Sequence, residues 1–174
     1  YQEALDIRIK SDPLHPDVAA GLGAIGNLHR KNGNYDKALI SLEEARINLT
    51  KRLGSNHPYV AASCNNIGLV HIKKGEINKA LESFKQALGI LLKQPNPDHL
   101  NVASILNNIG TLCRKIHDYD KALYCHHKAL AIRMEKLPKD HPDVAGCYTN
   151  IGAVHSEKGD YDKALEFFEN ALAI

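Results

Sequence analysis

A fixed internal period constrains this chain more than any other feature. The histidine at position 15 returns at 57, 99 and 141, a constant step of 42 residues. It leads the pentapeptide His15-Pro16-Asp17-Val18-Ala19, which recurs unchanged at His141-Pro142-Asp143-Val144-Ala145 and in drifted form (HPYVA, HLNVA) at His57 and His99. Other columns keep the register: Ile25-Gly26, Ile67-Gly68, Ile109-Gly110 and Ile151-Gly152; Lys37-Ala38-Leu39 and its three copies; and Ala45, Ala87, Ala129 and Ala171. Self-similarity at this spacing marks stacked copies of one supersecondary unit, each burying its apolar face on the next. The columns predict a single array over 1–174, with repeats at 15–56, 57–98, 99–140 and 141–174, the last truncated. Residues 1–14 align with the tail of a preceding second helix, and with Tyr1 in place of an initiating Met the chain reads as a window on a longer array.

Each repeat reads as two helices. In the first, from Pro16 to Lys31, Val18, Leu22, Ile25 and Leu28 or His29 recur at three- and four-residue steps, an apolar helical stripe. Gly33 offers a left-handed C-cap, and Asn34, whose column also holds Asp118 and Asp160, offers an N-cap. The second helix runs from Tyr35 to Arg52, with Tyr35, Ala38, Leu39, Leu42, Ala45 and Leu49 inward. Glycine inside a helix costs about 1 kcal/mol relative to alanine. A mid-helix column of Gly26, Gly68, Gly110 and Gly152 therefore implies close approach of the second helix, with the Ala38 and Ala45 columns as the expected contact. Four positions depart from the pattern. His117 replaces the C-cap glycine and is expected either to adopt the left-handed region or to distort the turn. His126 takes the column of Leu42, Phe84 and Phe168 and is expected to be partly buried and hydrogen-bonded; Ile77 replaces the helix-opening tyrosine and Leu100 the opening proline.

Composition excludes several classes. A net charge of +2 over 174 residues gives no footprint for nucleic acid. No apolar run is long enough to span a membrane, and no signal peptide is visible. Cys64, Cys113, Cys125 and Cys147 form no C-x-x-C pair and fall on apolar faces, which predicts free, partly buried thiols in a reducing, cytoplasmic setting. The ten histidines contain no H-x-x-x-H or H-E-x-x-H spacing, and the opening ones form a ladder along the array, so no metal or other cofactor is expected. Gly21 to Gly26 (GLGAIG) mimics a dinucleotide fingerprint but lies inside a helix, and no nucleophile elbow is present. The chain is expected to be non-enzymatic, with no catalytic residue.

Leu22, Ile25, Gly26, Tyr35, Ala38, Leu42, Ala45 and their equivalents resemble the tetratricopeptide repeat. That repeat is usually about 34 residues; the extra residues here fall after Ala45. The HPDVA opening and the NNIG of Asn65 to Gly68 and Asn107 to Gly110 resemble the kinesin light chain and nephrocystin-3 type of repeat. The resemblance implies an all-α, right-handed α-solenoid of antiparallel helix pairs whose first helices line a concave groove. It also implies an interaction scaffold or adaptor that binds an extended peptide segment of a protein partner.

On that reading the groove face carries Asn27, Arg30 and Lys31 in repeat one and Asn65, Asn66 and Lys73 in repeat two. It carries Asn107, Asn108, Arg114 and Lys115 in repeat three and Asn150 in repeat four. Asparagine is a weak helix former, yet Asn66, Asn108 and Asn150 share a mid-helix column. A carboxamide both donates and accepts, which suits a peptide backbone and equally a bond to a neighbouring helix. The basic residues either favour an acidic ligand or complement helix C-termini. A co-chaperone type of carboxylate clamp is not expected, because its basic positions are Gly23, Ser104 and Asn108 here. The competing reading is a structural spacer or self-assembling array, monomeric or associating end to end, with no peptide ligand.

Overall fold

The computed structural model describes residues 16–174; the expected tail of a preceding helix, and His15, lie outside them. The described residues form eight α-helices: α1 (Pro16–Lys31), α2 (Tyr35–Leu53), α3 (Pro58–Lys74), α4 (Ile77–Leu92), α5 (His99–Lys115), α6 (Tyr119–Lys136), α7 (Pro142–Lys158) and α8 (Tyr161–Leu172). The expected all-α architecture of paired helices is what the chain adopts. Two compact units result, one running to Pro95 and holding α1–α4, the other starting at Asn96 and holding α5–α8. Within each unit every helix packs on the next in sequence, and the two first helices of successive repeats, α1 with α3 and α5 with α7, also touch.

The tight turns inside the repeats depend on positive φ. Gly33, Gly75 and Gly159 take φ of 77°, 76° and 84°, and His117 follows them at 59°. His117 Nδ1 is held 2.8 Å from the Tyr119 hydroxyl. A Cβ in this region costs about 1–2 kcal/mol, so His117→Gly is expected to stabilise the second unit. The gain should be about 0.5–1 kcal/mol after the lost contact and the extra unfolded-chain entropy, measured by urea denaturation.

The opening histidines prove to be helix caps. His57 Nδ1 accepts from the Tyr59 N–H at 3.2 Å, and His141 Nδ1 from the Asp143 N–H at 3.1 Å. Repeat three departs: Asp98 caps α5 instead, accepting from the Asn101 N–H at 3.1 Å, and His99 becomes the first helical residue. At the second helices the expected caps are realised only in part. Asp118 accepts from the Lys121 N–H. Asn34 and Asp160 make no side-chain cap bond. The Asp160 carboxylate is turned instead toward His155 Nδ1, 3.3 Å away. Nothing in the structure explains why Asn34 leaves its cap unmade.

The core lies between the helices of each pair. Ala38, Leu42, Ala80, Phe84, Ala87, Ala122, His126 and Ala129 are fully buried. The stripe of α1 follows His29, which is half-buried, whereas Leu28 faces solvent. The glycine column does mark a close approach, but the partner is chiefly the bulky column of the second helix. A Cβ on Gly26 would lie 2.6 Å from Leu42 Cγ, one on Gly68 2.6 Å from Phe84 Cε1, and one on Gly110 2.8 Å from His126 Cε1. The alanine column contributes through its backbone, with Ala38 O 3.2 Å from the same point at Gly26. Small residues on both helices let a large ring or leucine lie flat on the first-helix backbone.

Candidate functional site

In the first unit, α1, α3 and the C-terminal end of α2 enclose an open cavity of about 540 Å³. Its floor is small because the sequence places Ala20, Gly23, Ala24, Ala62 and Ser63 on the facing stripes of α1 and α3. Toward the helix starts it is rimmed by Asp17, Arg52, His57 and Tyr59; farther along the helices it meets Asn27 and Asn66. The structure thus brings Asn27 and Asn66 together on one surface. Asn27 Oδ1 and the neighbouring Arg30 Nε are buried without a hydrogen-bond partner among the described residues. Asn65 is half-buried, and Lys31 and Lys73 are exposed.

In the second unit Asn107 and Asn108 stand in the columns of Asn65 and Asn66, where the first repeat has Gly23 and Ala24. Asn107 Oδ1 accepts from Asn150 Nδ2 at 2.9 Å, which ties α5 to α7. The same oxygen lies 3.0 Å from His126 Nδ1. A carbonyl oxygen can only accept, so His126 carries its proton on Nδ1, and Nε2 is left as a buried lone pair without a partner among the described residues. Burial, then the positive charges of Arg114, His127 and Arg133, push the His126 imidazole down to about 4. His126 is therefore hydrogen-bonded as its column predicts, and it is fully buried where the column predicts partial burial. Asn108 is half-buried and Lys115 exposed. Arg114 is neutralised by an ion pair with Glu157 of α7, which shortens the basic run in this unit.

Three structural details of this face are absent from the sequence reading. Arg133 is buried beside α7 in a column that is leucine at Leu49 and Leu91. His126 reaches the groove asparagines through Asn107. The column of His29, His71 and His155 is more than packing: His71 Nδ1 lies 2.6 Å from Glu76 and His155 Nδ1 3.3 Å from Asp160, bracing the turn into the second helix. The His71 bond holds the Glu76 carboxyl below its usual range. A histidine followed five residues later by an acid, twice in register, was the available signal.

The four cysteines are free and buried. Burial raises the Cys64 and Cys147 thiols and takes Cys125 up to about 11, so none of these three is a ready nucleophile near neutrality. Among the described residues no group of three His, Cys, Asp or Glu side chains is placed to hold a metal, and no helix is long and apolar enough to cross a membrane.

A profile of the tetratricopeptide repeat family matches residues 17–93, 59–135 and 101–174. A comparison with curated protein sequences returns no match. Among solved structures the chain is similar to BtubC (BKLC) from P. vanneervenii, with a TM-score of 0.80 and 24% identity over 97% of this chain and 76% of that one. It is similar to a putative kinesin light chain of Podosopora anserina with nearly identical TPR-like repeats, with a TM-score of 0.77 and 20% identity over 99% and 82% of the two chains. It is also similar to MamA, with a TM-score of 0.69 and 19% identity over 98% and 84%. The matched windows together take in nearly every described residue, and helix pairs with a glycine column under a bulky column fill them. The chain belongs to the tetratricopeptide repeat family.

Proposed function

We propose that this chain is a non-enzymatic adaptor that holds an extended segment of a protein partner against the first helices of its repeats. Tetratricopeptide repeats are in general protein–protein interaction modules. The observation that carries the finer reading is the first unit's cavity: an alanine- and glycine-floored hollow bordered by Asn27 and Asn66. Asn66 and Asn108 supply donor and acceptor to a peptide backbone, with Asn65, Asn107 and Asn150 beside them and the exposed Lys31, Lys73 and Lys115 favouring acidic sequence. The proposed repeats run 15–56, 57–98, 99–140 and 141–174, and buried free thiols fit a cytoplasmic setting.

The test is selection of a random dodecapeptide display library on the wild-type chain, followed by affinity measurement of the enriched peptides. Asn66→Ala with Asn108→Ala is expected to lower affinity about tenfold or more. Circular dichroism checks that the double variant keeps its helices, alanine being the better helix former. Full affinity in the double variant would sink the groove reading. Failure of the wild-type chain to enrich any peptide, with concentration-dependent growth in sedimentation, would favour a self-assembling array instead.

A further inference from the structure

The second unit differs chemically from the first at one buried position. Leu49 lines the first unit's cavity, Leu91 in the same column is buried, and the third member of that column is Arg133. Its side chain is only 10% exposed. A charge held out of water needs close partners, and a guanidinium offers five donors in a planar fork suited to a carboxylate. The partners it has are weak. Nη1 donates to the Asp143 carbonyl and to Cys147 Sγ, each at 3.1 Å. The Cys147 group is a neutral thiol, because burial raises it. The Asp143 carboxylate stands 3.9 Å from Nη2, beyond hydrogen-bond distance, on a side chain 56% exposed. The internal neutralisation of Arg133 is thus loose, and the carboxylate that supplies it sits on a side chain more than half exposed.

A second observation points the same way. Asn107 Oδ1 is saturated by His126 and Asn150, so toward a ligand Asn107 serves only as a donor through Nδ2. Asn107 and Arg133 stand in the columns of Gly23 and Leu49, both of which border the first unit's cavity. Resting on the groove reading above, we propose that the second unit selects a carboxylate side chain of the bound segment, with Arg133 as the residue that recognises it and Asn107 donating to an adjacent peptide carbonyl. The ligand carboxylate takes up the Nη2 edge now facing Asp143. The other charged groups nearby are Arg114, already paired with Glu157, and His126, which is neutral at pH 7.

The experiment repeats the dodecapeptide selection on wild type, Arg133→Leu and Asp143→Asn. Leucine is the residue of this column in the first two repeats, so the variant is expected to fold, as circular dichroism will show. Wild-type selection should enrich Asp or Glu at one fixed position. Arg133→Leu should still enrich peptides but return that position to library frequency, and replacing the acid by its amide should then change affinity less than about twofold, against about tenfold in wild type. Asp143→Asn, which removes the internal competitor, should strengthen the acid preference; this variant carries the test if Arg133→Leu fails to fold. Unchanged acid preference in both variants overturns the proposal, as does wild-type selection of peptides without a fixed acid. The groove reading fails separately, when Asn66→Ala with Asn108→Ala leaves affinity intact.

Discussion

Replacing His126 by phenylalanine is expected to remove about 3 kcal/mol of acid sensitivity between pH 6.5 and pH 4. In the folded protein the imidazole is held down to about 4, against an ordinary value of 6.5, because it is fully buried and Arg114, His127 and Arg133 oppose a further positive charge. Between those values the unfolded chain binds a proton that the native state refuses. Unfolding therefore takes up protons, and stability falls as pH drops through this window; above 6.5 the full stability is present. A difference of about 2.5 between the two values corresponds to about 3 kcal/mol. Phenylalanine occupies this column at Phe84 and Phe168 over the same glycine, so the ring fits, and the unpaired Nε2 is removed with it. The carboxylates of Asp36, Glu76, Asp118 and Glu135, each lowered by a lysine or histidine partner, titrate in both proteins and cancel in the difference. Urea denaturation of both proteins at stepped pH checks this, and parallel curves from pH 7 to 4 would contradict it.

The largest effect on stability at neutral pH is expected at Phe84. Its side chain is completely buried and its ring lies against Gly68. Phe84→Ala removes that packing and leaves a cavity, a loss of about 3–5 kcal/mol. Gly68→Ala acts on the same contact from the other side. It gains about 1 kcal/mol of helix propensity, but the new methyl would sit 2.6 to 3.0 Å from three ring carbons that have nowhere to go. Overpacking of this kind costs about 1–3 kcal/mol, and the rigid ring places it at the upper end, for a net loss of about 1–2 kcal/mol. In the double variant the methyl introduced at position 68 enters the space the ring has left, so the two losses should add to less than their sum by about 1 kcal/mol. Gly146→Ala is the control. Gly146 also lies inside a helix, yet a Cβ there meets nothing within 4 Å, so alanine should stabilise by about 0.5–1 kcal/mol. Denaturation midpoints of the four variants decide the matter, and equal effects at Gly68 and Gly146 would refute the close approach.

Much of the fold was legible because its determinants are local and repeated. Val18, Leu22 and Ile25 mark a helical face through three- and four-residue spacing alone. Gly33 and His117 mark tight turns through backbone conformational preference alone, and His117 was recognisable because three glycines stand in its column. The cap function of His57 and His141 follows the same logic, since each precedes a first-turn proline, but histidine is an uncommon cap and does not mark one by residue type. The candidate site was legible only as a face. Its columns located Asn27, Asn66, Asn107 and Asn150 together on the first helices, but a column says what a residue could bond and not what it does bond.

By itself, therefore, the sequence determined the repeat, the helix boundaries and which stripe of each helix turns inward, since all of these follow from contacts within a few residues or from identical copies. Only the tertiary structure decided that Gly68 meets Phe84 rather than an alanine, that Asn107 is saturated by His126 and Asn150, and that Arg133 is buried with a loosely placed carboxylate. These bonds join residues 10 to 43 positions apart. Their partners are chosen by how two helix surfaces interlock at a given depth, and that depth is set by side-chain volumes on both helices together, which no single column records.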